Sequence, residues 1–344
     1  MKVAFQISVL LLVFTTVQCS NKPQSSQATA LHLVKKTVVG GDGFWDYVTV
    51  DANARQLYLA HGSQVEVLNA DTHERLTTIA GQGVHGVTLV PDTHKGFITN
   101  GRANTVTVFD TRTFEKTGEI AVGKNPDAAL YDPYSKRLFV FNADGDGATV
   151  IDPAIDRSVG TIALGGAPEA AASDGKGTIF VNLEDKSEIV AFDAQSLKVL
   201  RRMSLAPGEE PTGLAMDIKN DILFSVCHNK LMMILEAKTG KSIAKMPIGE
   251  HVDGVVFDAG QQLAVSSNGE GSLTAVREVS PAKFKVVQTV PTEPGARTIA
   301  LDTKTHHIFT ATAQYGERPA PTTDNPAPRP KIVSGTFSVL EYAE

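Results

Sequence analysis

The sequence predicts an all-β protein, a seven-bladed β-propeller of four-stranded blades whose ring is closed by an N-terminal strand joining the last blade. Three observations predict this fold. A unit of about 42 residues recurs along the chain. Each unit consists of short apolar runs separated by turn residues. The last unit lacks an outer strand, which the N-terminal region can supply.

The third unit shows the repeat most clearly. It reads NPDAALYDPYSKRLFVFNADGDGATVIDPAIDRSVGTIALGG, with apolar runs bounded by Asp, Asn, Gly and Pro. The runs are too brief for helices. They therefore predict four strands, over residues 128–131, 137–141, 148–151 and 158–164.

One position, just before each inner strand, aligns across all seven units. The aligned residues are 39, 42, 42, 43, 41 and 44 positions apart, and they are Asp46, His85, Asp127, Glu169, Thr212, Asp253 and Arg297. Six units also place an aspartate five residues later, where it can bond the backbone of its own turn. These are Asp51, Asp132, Asp174, Asp217, Asp258 and Asp302.

The last unit ends with its third strand, over residues 337–342. The segment HLVKKTVV at residues 32–39, followed by two glycines, has the form of the missing outer strand. Closure in this way matters because an open ring would expose unpaired strand edges. We therefore predict one propeller domain over residues 32–344, preceded by a polar flexible linker over residues 20–31.

Residues 1–19 have the features of a secretory signal, with Lys2, an apolar run over residues 3–17 and a short polar ending. Alternatively, Cys19 is the acylated first residue of a lipoprotein, although Gln18 stands where a small residue is expected. Either way Cys227 has no established partner, so no structural disulfide is expected. These features predict an exported protein, periplasmic or extracellular, without a transmembrane segment after cleavage.

The composition is that of a globular protein, with 42% hydrophobic and 20% charged residues. The formal net charge of -6 gives no general positive field, so non-specific nucleic-acid binding is not expected. A small molecule or an envelope protein is the expected partner, and the chain is expected to be a monomer.

Two runs recur in the units, (R/K)-L-(Y/F)-V-x-N and T-V-x-V-(F/I)-D, at residues 55–61, 137–142, 105–110 and 149–152. They resemble the YVTN repeat. Residues 31–342 as a whole resemble the YncE-like bacterial propeller proteins, also in stretches such as GFWDY at 43–47 and CHNK at 227–230. The resemblance implies the seven-bladed fold and export, but no settled activity.

The seven aligned residues should form a ring around the mouth of the central channel. Four carboxylates and one arginine leave three net negative charges there with His85 neutral, which protons or a cation must offset. An oxygen-rich ring suits Ca²⁺, Mg²⁺ or Mn²⁺, and the candidate metal ligands are Asp46, Asp127, Glu169 and Asp253. The alternative is that these side chains cap turns, join strand ends and hold channel water.

Loops between second and third strands should emerge on the same face. With the ring residues they supply the remaining candidate ligand contacts, His61, Arg102, Glu184, His228 and Asn268. His85 and His228 could act as general acid or base, and Arg297 or Arg102 could hold a carboxylate or phosphate. Most polar loop tips in a propeller are nevertheless solvated turn residues.

Two further features border the predicted mouth. Trp45 could wall a pocket, but we expect it to pack between the first blade and its neighbour. The Pro-rich segment 314–334 lies between the last two strands. It is interpreted first as a latch on the closing blade, second as a lid, and otherwise as a partner-docking arm.

The sequence leaves three functions open. The first is a binding or scaffold protein, favoured because no Gly-rich phosphate loop, G-x-S-x-G, H-E-x-x-H, C-x-x-C or C-x-x-C-H motif is found. The second is a lactonase-like, metal-dependent hydrolase or lyase in which the ring carboxylates hold the cation and His85 carries the proton. A quinone-dependent dehydrogenase is a weaker third, because such propellers are Trp-rich and this chain has one Trp.

Overall fold

A computed structural model describes residues 1–4, 30–91, 93–280, 282–322 and 328–344. Their strands form seven four-stranded antiparallel sheets. The chain is thus a seven-bladed β-propeller, which confirms the predicted fold class. The only helix in these ranges is a single 3-10 turn at Glu184–Lys186, and none could span a bilayer. Cys19, the signal segment beyond its first four residues and most of the linker lie outside them.

The strands follow the chain order from the inside of each blade outwards. The bounds are β2 (Trp45–Asp51), β3 (Gln56–His61), β4 (Gln64–Asn69) and β5 (Arg75–Ala80) in blade 1; β6 (Val84–Val90), β7 (Lys95–Asn100), β8 (Thr105–Asp110) and β9 (Lys116–Ala121) in blade 2; β10 (Pro126–Asp132), β11 (Arg137–Asn142), β12 (Gly147–Asp152) and β13 (Arg157–Ala163) in blade 3; and β14 (Pro168–Ser173), β15 (Thr178–Leu183), β16 (Glu188–Asp193) and β17 (Val199–Ser204) in blade 4.

The remaining blades complete the ring. They contain β18 (Pro211–Asp217), β19 (Ile222–Cys227), β20 (Leu231–Glu236) and β21 (Ser242–Pro247) in blade 5; β22 (Val252–Asp258), β23 (Leu263–Asn268), β24 (Ser272–Ser280) and β25 (Lys283–Pro291) in blade 6; and β26 (Ile299–Leu301), β27 (Ile308–Thr312), β28 (Ser338–Ala343) and β1 (His32–Val38) in blade 7.

The predicted closure of the ring is confirmed. β1 is the outermost strand of blade 7 and pairs antiparallel with β28, from His32 opposite Ala343 to Val38 opposite Ser338. Leu31 is buried, and its backbone N–H and carbonyl both bond the side chain of Gln288 in blade 6. The first strand of the chain is therefore an integral part of the last blade.

The inner strands of blades 1 to 6 begin two residues earlier than predicted. In these blades the aligned ring residues are the second residue of the inner strand, not the residue before it. The reason is a bulge at the start of each of these strands. In blade 3, Pro126 pairs with Asn142, and the next paired residue is Ala129. Bulges free a side chain from the regular alternation and re-aim it, so Asp127 can turn towards the channel.

The six predicted turn aspartates accept hydrogen bonds from their own turns. Asp51 Oδ1, for example, accepts the backbone N–H groups of Asn53 and Ala54, at 2.9 and 2.8 Å. The other five are Asp132, Asp174, Asp217, Asp258 and Asp302. This repeated local bond fixes the first turn of each of these blades, as the sequence predicted.

The core lies between neighbouring blades. Trp45 is 2% exposed, contacts Tyr315 and Phe337, and donates its indole N–H to the Gly295 carbonyl at 3.2 Å. Its expected packing role between blade 1 and blade 7 is confirmed. Cys227 is a free, buried thiol, and burial raises its pKa to about 12.

Tyr47 lies across the channel next to the ring. It belongs to blade 1, yet it packs against the apolar cluster between blades 3 and 4, so its ring must reach across the channel. Gly86, at the equivalent position of blade 2, leaves space for it, because a Cβ there would lie 3.2 Å from the Tyr47 ring. The equivalent Gly213 and Gly254 have another role, because a Cβ at either would meet the neighbouring inner strand.

Asp302 offers a test of the turn aspartates. Its side chain is fully buried, bonds the Lys304 N–H at 2.9 Å and pairs with Arg55 at 2.5 Å. We expect Asp302→Ala to lower the free energy of unfolding by about 2 kcal/mol, because it leaves buried donors unpaired. Asp71→Ala, which removes the exposed partner of Arg55, should cost less than about 1 kcal/mol. Urea unfolding measures both; equal losses would contradict the explanation.

Candidate functional site

Five of the seven ring residues form a continuous chain of ion pairs around the mouth. Arg297 lies 2.6 Å from Asp253 and 3.6 Å from Asp46. On the other side of Asp46, His85 Nδ1 lies 2.7 Å from its carboxylate and 3.3 Å from that of Asp127. The order Asp253, Arg297, Asp46, His85, Asp127 follows blades 6, 7, 1, 2 and 3, so charges of opposite sign alternate.

The two other ring residues differ from this chain. Thr212 is buried and donates its hydroxyl to the Val252 carbonyl at 3.1 Å, which ties blade 5 to blade 6. Glu169 is partly buried, and its carboxyl makes no ion pair or hydrogen bond with any residue in the described ranges. Glu169 is thus the one uncompensated acid of the ring.

Protons offset much of the ring's charge. Burial lowers the pKa of His85, but Asp46 and Asp127 together raise it above the usual value. Burial, reinforced by Asp46, raises the pKa of Asp127 to about 7. Burial, reinforced by Asp127 and Asp253, raises the pKa of Glu169 to about 9. At neutral pH Glu169 is therefore protonated.

The four carboxylates predicted to hold a metal ion do not all come together, although Asp46 and Asp127 do. Asp253 is held by Arg297, and Glu169 does not belong to the group of donor atoms that lie close together. Within the described ranges, the donor atoms that come within 4.8 Å of one another belong to Asp46, His85 and Asp127. Ca²⁺ takes about six to eight oxygen ligands, and the ion pairs already engage these side chains. Asp46, His85 and Asp127, and not the four carboxylates, are therefore the set that could hold a cation.

Two adjoining cavities open above the ring. The first has a volume of about 880 Å³, and the second about 570 Å³. Both are lined by Phe44, Arg297 and Arg329, so they meet at the centre of the mouth. Asp46 and His85 lie in the wall of the first cavity. Glu169, Thr212 and Asp253 lie in the wall of the second.

The Pro-rich segment forms one side of the mouth. Its two arms run antiparallel, with Tyr315 bridged to Ile332, and Tyr315 lies 6.0 Å from Trp45. Arg318, Arg329 and Tyr315 from these arms line the second cavity. The segment thus contacts blade 1, as the latch interpretation requires, and also borders the mouth, as the lid interpretation requires. Residues 323–327 lie outside the described ranges.

Three of the five predicted loop contacts reach the mouth. Arg102 lines the first cavity, while Glu184 and His228 line the second. His228 also lies 3.3 Å from Glu210. The three catalytic candidates, His85, His228 and Arg297, are therefore all at the mouth, although His85 and Arg297 belong to the ion-pair chain.

The prediction was wrong for His61 and Asn268, which lie inside the blades. His61 is 2% exposed, stacks on Phe337 at 4.0 Å and lies 3.5 Å from Glu66. Asn268 is fully buried. Both end the second strand of their blade, where the side chain points between strands.

A recurring pair in the sequence could have revealed this. In blades 2, 3 and 6 the strand-ending asparagine donates to a threonine of the third strand, at 3.0, 3.1 and 3.0 Å. The pairs are Asn100 with Thr107, Asn142 with Thr149, and Asn268 with Thr274.

Sequence reasoning also missed four lining residues. Phe44 precedes the ring position of blade 1 by two residues and is 58% exposed, although it is a large apolar side chain. Lys124, Arg318 and Arg329 complete the rim. The unusual exposure of Phe44 could not be read from its neighbours in sequence. Arg318 and Arg329 were missed because the segment that contains them was interpreted from its proline content alone.

Comparison with known proteins supports the fold. No family model matches the chain, and no curated protein matches it. Among solved structures it is similar to hydrazine synthase of Kuenenia stuttgartiensis, with a TM-score of 0.65 and 16% identity, covering 80% of this chain and 94% of that one. It is also similar to a chain in the crystal structure of a mitotic checkpoint complex, with a TM-score of 0.72 and 13% identity, covering 95% and 100%. At such identities the similarity shows the propeller fold alone.

Proposed function

We propose that this chain is an exported bacterial envelope protein of the YncE-like class, in which the propeller over residues 32–344 binds a small molecule at the channel mouth. The observation that carries the proposal is the pair of adjoining cavities above the ring, bordered by the Pro-rich segment. The signal-like leader and the YVTN-like repeats support export and class. Export proceeds with cleavage near Cys19 or with its lipidation.

The dimensions favour a small ligand over a protein partner. Cavities of about 880 and 570 Å³ fall within the range of about 300–1,000 Å³ typical of small-molecule sites. The ion-pair chain provides a fixed polar wall, and Phe44 provides an apolar surface. The hydrolase alternative has less support, because only three of the described ring side chains bring donor atoms together and ion pairs already join them.

The test is ligand discovery followed by substitution at the mouth. Native mass spectrometry of the purified protein and thermal-shift screening of polar metabolites should identify a ligand. We expect Phe44→Ala to weaken its binding at least about tenfold, because an aromatic contact of about 1.4 kcal/mol or more is lost. The melting temperature should change little, since Phe44 is exposed.

Tyr134→Ala is the matched control. Tyr134 is also an exposed aromatic residue, at 52%, but it lies in the turn between β10 and β11 and not in either cavity. Equal effects of the two substitutions on binding, or a ligand that binds unchanged when Phe44 is removed, would place the site elsewhere and overturn the proposal.

A further inference from the structure

The rim of the mouth carries cations that have no partner in the part of the chain that the structure describes. Arg102, Lys124 and Arg329 line the first cavity, and Arg318 joins Arg329 in the second. None of these four makes an ion pair or hydrogen bond within the described ranges, although the chain as a whole has a formal net charge of -6. Unpaired cations gathered at one opening of an acidic protein indicate a ligand of opposite charge.

The acids that line the first cavity do not neutralise its cations. Asp46 already lies between Arg297 and His85. Asp42 and Asp144 also line this cavity, but their two charges are outnumbered by those of Arg102, Lys124 and Arg329. The second cavity is more evenly balanced, because Glu169, Glu184 and Asp253 line it together with its arginines. The charge available to a ligand is therefore positive in the first cavity.

The same cavity offers an apolar surface. Phe44 is 58% exposed, lies where the two cavities meet and is near Arg329, which also lines both. Arginine holds planar oxyanions through two parallel N–H groups, and an adjacent aromatic face suits the hydrocarbon part of the same molecule.

We propose that the ligand is a small organic oxyanion, a carboxylate or a phosphate ester. Arg329, Arg102 and Lys124 hold its anionic group, and its apolar part lies against Phe44. This inference rests on the proposed function and names the ligand class of the same site. It also assigns the Pro-rich segment a direct role, because Arg329 comes from that segment.

The experiment uses four probes that share or lack the anionic group: benzoate, phenyl phosphate, inorganic phosphate and benzyltrimethylammonium. Isothermal titration at neutral pH and low salt measures binding to the full propeller. We expect benzoate or phenyl phosphate to bind more tightly than the other two probes, and the preferred one of the pair identifies the anionic group. Raising the salt concentration should weaken this binding.

Arg329→Gln and its matched control locate the contact. Arg329→Gln should weaken binding of the preferred anion at least about tenfold. Lys331→Gln should leave it unchanged, because Lys331 is exposed on the same arm but lines neither cavity. Circular dichroism and the melting temperature should be the same for both variants, so a folding defect is recognised.

Three results would overturn the inference. These are preferential binding of benzyltrimethylammonium, binding of neither organic anion at millimolar concentration, and equal losses from Arg329→Gln and Lys331→Gln. Each can occur while Phe44→Ala still weakens binding of a ligand found by screening. In that case the mouth remains a binding site and only the ligand class is wrong.

Discussion

Deletion of residues 31–39 is expected to prevent folding of the propeller into a stable monomer. β1 supplies one of four strands in blade 7, and its loss exposes the edge of β28 over its whole length. It also removes Leu31 from the core and takes Thr37 away from the buried His73, to which it bonds at 2.9 Å. The ion pairs of Glu341 with His73 and His307 would then lie at the exposed edge of β28.

The expected loss is large because the strand closes a ring. A domain is stable by about 5–15 kcal/mol, and removing the outer strand of blade 7 also removes its contacts with blades 1 and 6. Chemical denaturation should show no cooperative transition for the deleted chain. Gel filtration should show oligomers or aggregate, because an unpaired strand edge recruits other chains.

The structure offers a matched control that keeps the same residues. His32 lies opposite Ala343, so residues 31–39 can follow Glu344 through a short glycine turn and still pair with β28. This rearranged chain should regain a cooperative transition and the monomeric state. A deleted chain that unfolds cooperatively with normal stability would show that closure through β1 contributes little.

Glu169→Gln is expected to stabilise the protein at neutral pH. Burial, with Asp127 and Asp253, raises the pKa of Glu169 from 4.5 to about 9. Between these values the folded state binds a proton that the unfolded state has released, so stability falls as the pH rises. At pH 7 the loss amounts to about 3 kcal/mol. Glutamine has nearly the same shape and does not ionise, so it avoids this loss.

The sign of the pH dependence separates this explanation from a general effect of the substitution. Below about pH 4.5 the Glu169 carboxyl is protonated in both the folded and the unfolded state. The free energy of unfolding of Glu169→Gln should then equal that of the parent protein. The gain should grow as the pH rises towards 9 and then level off. Glu74→Gln, which changes an exposed glutamate away from the channel, should show no such trend. Urea unfolding at several pH values measures the difference in stability between Glu169→Gln and the parent protein. A difference that stays constant or falls as the pH rises would contradict the raised pKa of Glu169.

The fold could be predicted because its determinants are local and repeated. Apolar runs of strand length, an aspartate at each first turn and a repeat near 42 residues recur in nearly every unit. Closure by residues 32–38 followed from a missing strand. The earlier start of the inner strands was not predicted. A bulge depends on pairing across strands, as between Pro126 and Asn142, and this pairing cannot be recognised from the residue types of one strand.

The site could be predicted only in part. Repeat alignment placed Asp46, His85, Asp127 and Glu169 together, because equivalent positions of a ring meet at its centre. The alignment could not show that Arg297 forms ion pairs with Asp46 and Asp253, since these pairs depend on distances between blades. Nor could it separate a buried strand end from an exposed loop tip, which is why His61 and Asn268 were misplaced.

The position of Tyr47 limits how the channel can be used. Its side chain reaches from blade 1 to the apolar cluster between blades 3 and 4, directly after Asp46 of the charged ring, and so narrows the channel there. A ligand at the mouth is therefore expected to enter and leave past Arg102 and Arg329, which line the first cavity. A label attached to the opposite face of the propeller should not affect its binding.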